Sequence, residues 1–399
     1  MPPQVLKWPC PNIQQIKIVS LYNMSIQAAI GKNFFTRITT GLDIISQATI
    51  RELKREEPRV FFRYRTSHTH PTFDRFLTNP PVAWSNYQRA RLAHWINYPA
   101  FVTKIPFLLE CNDHPLSAVS YRTRGLHEPR EILRRLHDAA DVYALPQCKY
   151  IAIPCEGYKL LFEHYFGEAF NHKFVNLHVP GCMPLNTPLI EESVPKFLCL
   201  ASDYELKGVD LLIEAWLGVE DKQGASLVIA CPNIPTDMIL RASSKITFVT
   251  KGPLTNLEKH ELLSQSNVSI APMHVHGGGN IYEGMEYGHA IIYFATHTTF
   301  FRGIGEEVPV PYYFYLPSHY GVHWHTFLDF RETLKSDKRA GLFDATIEHL
   351  SGCIKRYIED NAVMNSDRRK VFGLAHGDKS LRCRNEKLLR IYTAIRQSG

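Results

Sequence analysis

Short apolar runs of strand length alternate with segments of helical period through most of the 399 residues. A chain written this way has few options, because strands joined by helices return parallel to one another and need apolar cover on both faces. In the first half the pattern predicts strands over Ile16–Leu21, Val60–Tyr64, Pro106–Glu110 and Tyr150–Pro154, and helices over Leu42–Arg55, Arg130–Ala140 and Gly157–Phe166. Arg65–Ala93, rich in His, Pro and aromatic residues, reads as an irregular surface. The stretch Val179–Val194 carries Pro180, Pro184 and Pro188 beside Gly181, a composition suited to a connection between domains. Beyond it strands are expected over Lys196–Ala201, Ser226–Cys231, Ile246–Thr250, Val268–Ala271 and Ala290–Phe294. The intervening helices are Val209–Leu217, Leu257–Ser264 and Ile281–Tyr287, and the chain closes on helices over Ala345–Glu359 and Arg384–Arg396. The expectation is an α/β chain of two doubly wound, Rossmann-like domains, 1–185 and 186–375, with 376–399 as a last helix returning to the first domain.

Composition removes other classes. Hydrophobic residues form 45% and charged residues 21%, enough apolar surface for a buried core, so wholesale disorder is excluded. The formal charge of +6 is diluted over the whole chain and does not point to nucleic acid. Nine scattered cysteines without a Cys-x-x-Cys pair indicate neither a zinc site nor a disulfide framework. No segment reaches the ~20 apolar residues of a membrane span, and Met1–Gln15 does not read as a signal peptide, so a cytoplasmic location is expected. Basic residues over Arg51–Arg59 and at Arg122, Arg124, Arg130, Arg134 and Arg135 read as solvated helix faces, with peripheral contact to an anionic membrane as the minority alternative. The pairs His68/His70, His274/His276 and His323/His325 lack a third ligand at a convincing spacing, so no metal site is assigned.

Two segments carry chemistry. Ala271-Pro-Met-His-Val-His-Gly-Gly-Gly-Asn-Ile-Tyr-Glu-Gly-Met-Glu-Tyr-Gly288 follows a strand and opens a helix. Gly277, Gly278 and Gly279 let the backbone approach a ligand, and amides at a helix start suit a diphosphate; the other reading is a surface loop. Phe197-Leu-Cys-Leu-Ala-Ser-Asp-Tyr-Glu-Leu-Lys-Gly-Val-Asp-Leu-Leu-Ile-Glu-Ala-Trp216 places Lys207 at the entrance of a helix. There it is either a point charge aimed at phosphate oxygens or a solvated lysine.

Together these segments resemble the C-terminal half of a GT-B glycosyltransferase, most similar to glycosyltransferase family 4. The resemblance rests on Lys207-Gly208 with Asp210–Ala215, on Ile246–Gly252, on Glu283-Gly-Met-Glu-Tyr-Gly288 with Ala290–Ile292, and on the closing Arg384–Tyr392; it covers the first half only in its rhythm. It implies a retaining transfer of a sugar from a nucleoside-diphosphate sugar, UDP- or GDP-linked, to a hydroxyl of a glycan or lipid-linked acceptor, without a cofactor or divalent metal. It also implies that Lys207 and the amides of Gly277, Gly278, Gly279 and Asn280 hold the diphosphate, that Glu283 binds the ribose, and that Gly252 and His276 belong to the donor site. In the first domain, Pro106–Ser117 resembles the strand and loop that bring a histidine to the donor sugar, which would be His114 with Asp113 beside it; a hydrogen bond within a surface loop is the plain alternative. Gly181 would serve as a hinge. Two positions depart from the family pattern: Ser202 stands where an arginine is usual, and Val275 where the first glutamate of a Glu-x7-Glu pair falls. These departures keep open a silent nucleotide-sugar- or glycan-binding protein on the same fold, and an enzyme that rearranges a nucleotide sugar without an acceptor.

Overall fold

The computed structural model describes residues 17–22, 61–62, 92–96, 106–111, 140–153, 159, 162–163, 166–177, 188–274, 279–295, 303–311 and 327–397, the first three stretches as backbone. Strands β1 (Lys17–Tyr22), β2 (Phe61–Phe62), β3 (Leu92–Ile96), β4 (Phe107–Glu110), β5 (Cys148–Ile153) and β6 (Phe174–Asn176) form one sheet in the order β2-β1-β3-β4-β5-β6. A second sheet contains β7 (Lys196–Leu200), β8 (Ser226–Ala230), β9 (Thr247–Val249), β10 (Val268–Ala271), β11 (Ala290–Ala295) and β12 (Glu306–Pro309). Its order is β12-β11-β10-β7-β8-β9. Every pairing in both sheets is parallel.

The inner strands of the second sheet are mostly apolar because both their faces are covered. All six residues of β11 are buried, and they alternate between two cores: Ile292 and Phe294 point to one side, Ile291, Tyr293 and Ala295 to the other. The first side packs against α1 (Val209–Gly218) and α6 (Asp344–Glu359), through Leu212 and Trp216 on one helix and Leu350, Ile354 and Tyr357 on the other. Trp216 loses all its exposure, about 1.5–3 kcal/mol of burial for such a side chain, and satisfies its indole N–H on the Lys245 carbonyl at 2.9 Å. The second side packs against α4 (Gly279–Glu286) and α7 (Asn361–His376) through Ile281, Met285, Val371 and Ala375. The described residues of the C-terminal half also include α2 (Thr236–Ala242), α3 (Asn256–Ser264), opened by a Thr255–Glu258 capping box, and α5 (Phe327–Arg339).

Polar side chains fix how the connecting chain enters this sheet. Asn267, buried just before β10, accepts from the Lys196 amide at 2.8 Å and donates to the Val194 carbonyl at 2.9 Å, which pins the start of β7 beside β10. From α7, Asn365 exchanges hydrogen bonds with both backbone groups of Glu192, and Arg368 donates to the carbonyls of Ile190 and Gly288.

The last helix, α8 (Leu381–Gln397), lays Leu388, Ile391, Tyr392 and Ile395 on Leu108 and Ala152 of the N-terminal sheet. The opposite face of that sheet carries Phe107, Leu109 and Ile151 against Tyr143, Phe162 and Phe170. At the carboxyl end of β4 the Arg384 guanidinium meets Glu110 at 2.6 Å, both side chains only 4% exposed. A charge pair taken this far from water depends on both partners being present.

The strand expectations fall within about two residues of β1, β2, β4, β5, β7, β8, β9, β10 and β11. One reading needs correction: β3 begins at Leu92, inside the stretch Arg65–Ala93 taken as irregular. The remaining residues of that stretch, Leu42–Arg55 and all but the last residue of Arg130–Ala140 lie outside the described residues. Helices α2, α5 and α7 and strands β6 and β12 were not anticipated. Among the described residues no helix is long and apolar enough to cross a membrane.

Among the described residues two histidines are wholly buried in the C-terminal core. His289 lies between Ser269 Oγ, 2.8 Å from Nδ1, and the Leu263 carbonyl, 2.9 Å from Nε2. The carbonyl can only accept, so Nε2 carries the proton and Nδ1 accepts from the serine. Burial pushes this imidazole down to about 4. His274 stacks edge-on against Phe294 and Phe343 with both ring nitrogens unpartnered, and burial, reinforced by Lys338, drives it well below the usual histidine range.

Replacing Arg384 with methionine strands the Glu110 carboxylate and should cost about 3–5 kcal/mol of unfolding free energy in a denaturant titration. Adding Glu110→Gln should recover part of that loss, and an unchanged midpoint in the single variant would contradict the buried pair. A pH series of the same titration tests the histidines. The fold keeps both rings neutral, so the unfolded chain binds the extra protons as pH falls below about 6.5. Stability should be level above pH 7.5 and decline from there toward pH 4, with a shallower decline in His274→Leu.

Candidate functional site

In the second sheet β7 lies beside β10, with Phe197 opposite Val268 and Leu198 opposite Ser269. From β7 the chain winds outward through α1 to β8 and β9; from β10 it winds the other way through α4 to β11 and β12. The loops leaving the carboxyl ends of β7 and β10 therefore diverge, and such a point in a doubly wound sheet opens a crevice where ligands bind. The described stretches are 201–208 and 272–274, which lie within the two segments singled out in the sequence.

Two contacts join them, and a third ties α4 to the end of β7. Gly208 takes a left-handed conformation, φ 59°, at the start of α1, and a Cβ there would lie 2.1 Å from the Pro272 carbonyl oxygen and 2.9 Å from the Phe294 ring. Only glycine meets both demands. The His274 amide donates to the Leu206 carbonyl at 3.1 Å. Asn280, in the first turn of α4, donates from its side chain to the Leu200 carbonyl at the end of β7, 3.1 Å away. Lys207, half-buried and engaged in contacts of its own, is held next to the start of the glycine-rich turn by the residues on either side of it.

The first loop is built around Asp203. Its Oδ1 accepts from the amides of Glu205 and Leu206 at 3.2 and 2.9 Å, folding the chain back toward α1 as aspartate does in turns. Asn233, in the loop after β8, accepts from the Tyr204 amide at 3.1 Å, and its amide nitrogen lies 3.4 Å from Asp203 Oδ2. Ser202 is exposed.

On the other side, Glu283 lies one turn into α4 and pairs with Lys259 of α3 at 2.5 Å through Oε1. The next residue, Gly284, lets α4 lie directly against β10, since a Cβ there would come 2.6 Å from Ser269 Oγ and 3.0 Å from Ile291. Gly252 follows β9, two strands from β7, and a Cβ at that position would meet nothing within 4 Å. Packing does not require a glycine there.

The structure thus gathers Lys207 and Asn280 at one crevice, with Gly279 opening α4 and Glu283 one turn along it. Gly252 stands further along the same edge of the sheet. Asp113, His114, Gly181, Val275, His276, Gly277 and Gly278 lie outside the described residues. Sequence reasoning missed Asp203, Asn233 and Lys259. The aspartate could have been suspected from its place in a polar loop after a strand, but nothing local marks the other two. Among the described residues no three His, Cys, Asp or Glu side chains gather as metal ligands do.

No protein-family model and no curated protein matches this chain. Solved structures do. HepE of Anabaena in complex with UDP superposes with a TM-score of 0.57 at 12% identity, covering 95% of this chain and all of that one. WaaG, a glycosyltransferase involved in lipopolysaccharide biosynthesis, gives 0.53 at 12% identity over 94% of this chain and 98% of its own. A glycosyltransferase from Rickettsia africae gives 0.51 at 14% identity over 96% and 99%. With two parallel sheets, helices on both faces of the second, and a last helix laid across the first, the chain has the two-domain, Rossmann-like GT-B fold.

Proposed function

We propose that the protein is a retaining glycosyltransferase that moves a sugar from a nucleoside-diphosphate sugar to a hydroxyl of a glycan or lipid-linked acceptor. The observation that carries the reading is the junction of the Lys207 loop with the start of α4 at the β7/β10 crevice, through Gly208 on Pro272, His274 on Leu206 and Asn280 on Leu200. HepE, which shares the fold, was captured with UDP.

Departure of the nucleoside diphosphate is the demanding event, because negative charge grows on the leaving phosphate as the bond to the anomeric carbon lengthens. In this reading the Lys207 ammonium and the amides of residues 277–280 stabilise that charge where it develops, with no metal required. Donors fixed before the reaction act without reorganising, and losing one typically costs ~10²–10³ in rate. The departing phosphate oxygen takes the proton of the acceptor hydroxyl, which attacks from the same face; this stereochemistry follows from the resemblance to family 4. His114 with Asp113 would stand near the donor sugar.

Glu283 would accept from the ribose hydroxyls. Lys259 engages its Oε1, so that contact falls to Oε2. A nucleoside lying from the crevice toward β9 would bring its base to Gly252, whose open surroundings leave room for it. The acceptor would meet the N-terminal domain, residues 1–185. A second reading, a nucleotide-sugar-binding protein without turnover, is favoured by one particular: exposed Ser202 puts no cation where the family has arginine.

A thermal-shift panel of uridine, guanosine, adenosine and thymidine diphosphates separates these readings from none at all, since a specific ligand raises the apparent melting temperature with its concentration. One nucleotide, most simply UDP or GDP, should stabilise the protein, and its sugar should be transferred or hydrolysed; affinity without turnover would support the binding protein. Lys207→Ala should lower turnover by about 10²–10³ without loss of fold. Glu283→Gln should weaken nucleotide binding about tenfold, as expected for a lost hydrogen bond to a charged group. Unchanged constants in either variant would remove that residue from the site.

A further inference from the structure

The loop that carries Lys207 has the wrong charge for a diphosphate. From Ser202 to Asp210 it holds three carboxylates, Asp203, Glu205 and Asp210, against a single lysine. Left to themselves these acids would repel the dianion that Lys207, two to four residues away in the sequence, is proposed to attract.

Helix α5 answers each of them. Arg331, Lys335 and Lys338 recur at i, i+4 and i+7, the spacing that aligns side chains along one helical face. Arg331 Nη2 donates to Asp203 Oδ2 at 2.7 Å. Its Nε lies 2.8 Å from Glu205 Oε2 as an ion pair bent too far for a hydrogen bond. Lys335 reaches Glu205 at 3.3 Å, and Lys338 closes on Asp210 in the first turn of α1. The guanidinium thus straddles two acids of one loop from a helix more than a hundred residues later. The carboxylate it grips, Asp203, is the one whose other oxygen folds the loop back onto Leu206, which in turn receives His274.

We infer that Arg331 is a positioning residue for the nucleotide-diphosphate site: by pairing Asp203 and Glu205 it fixes the Lys207 loop and cancels the carboxylate charge that would otherwise oppose the phosphates. The inference rests on the reading of the crevice as a diphosphate site and adds to it the residue that makes an acidic loop fit for an anion. Arg331 acts through the carboxylates of the loop and need not touch the ligand. Lysine cannot replace it fully, because a single ammonium cannot span both carboxylates as the planar fork does.

The test is isothermal titration of the full chain with UDP and with GDP, comparing wild type, Arg331→Ala, Arg331→Lys, Glu205→Gln and the Arg331→Ala/Glu205→Gln pair, each with its ligand-free melting temperature. Arg331→Ala should weaken the nucleotide bound by wild type at least tenfold, and Arg331→Lys should fall between the two. Removing the exposed charge as well should restore at least threefold of that loss in the double variant, which a merely structural role for the arginine would not do. Equal affinity of wild type and Arg331→Ala, or a double variant no better than the single one, overturns the inference while leaving the diphosphate site standing. If Arg331→Ala does not fold, Arg331→Lys and Glu205→Gln carry the comparison: weaker binding in the first with unchanged or tighter binding in the second supports the inference, and unchanged binding in the first overturns it. Failure of wild type to bind either nucleotide removes the reading on which it stands.

Discussion

Backbone meets backbone where α1 begins. The Pro272 carbonyl occupies the space a side chain on residue 208 would need, and the His274 amide reaches the Leu206 carbonyl. This close approach converts two loops that diverge by topology into one surface. It requires a glycine in a left-handed conformation, a strand pair in fixed register and an aromatic ring, Phe294, filling the space beneath. Each of these is supplied by a different part of the chain, so the crevice depends on the whole C-terminal sheet being assembled.

The surroundings are organised to keep that surface still. Asn267 ties the starts of β7 and β10 together, Gly284 lets α4 sink onto β10, and His289 holds Ser269 to the end of α3 through two hydrogen bonds of a neutral ring. Charge is handled in the same way. The acids of the first loop face the cations of α5, while Glu283 faces Lys259. Each of these half-buried carboxylates thereby has a cation beside it.

Much of the architecture was legible because the strands of the second sheet are covered on both faces and so read as unbroken apolar runs: Val268–Ala271 is recovered to the residue, and Val209–Leu217 to within one. Elements whose cores are partly polar escaped. In α7 the inward positions include Asn365 and Arg368, whose partners include backbone groups 173 and 178 residues earlier, and no local period announces them. The edge strand β12 opens on two glutamates, so no apolar run marks it. The candidate site divides along the same line. Lys207, the glycine-rich turn and Glu283 form contiguous motifs and could be read directly, whereas Asn233, Lys259 and Arg331 owe their place to tertiary contact alone.

The most direct measurement is a crystal structure of the protein soaked or grown with the nucleoside diphosphate that stabilises it. The two phosphates should lie between the loops after β7 and β10, with oxygens ~3 Å from the Lys207 ammonium and from backbone amides at the start of α4. A diphosphate bound elsewhere on the chain, or a Lys207 side chain turned away from it, would contradict the account.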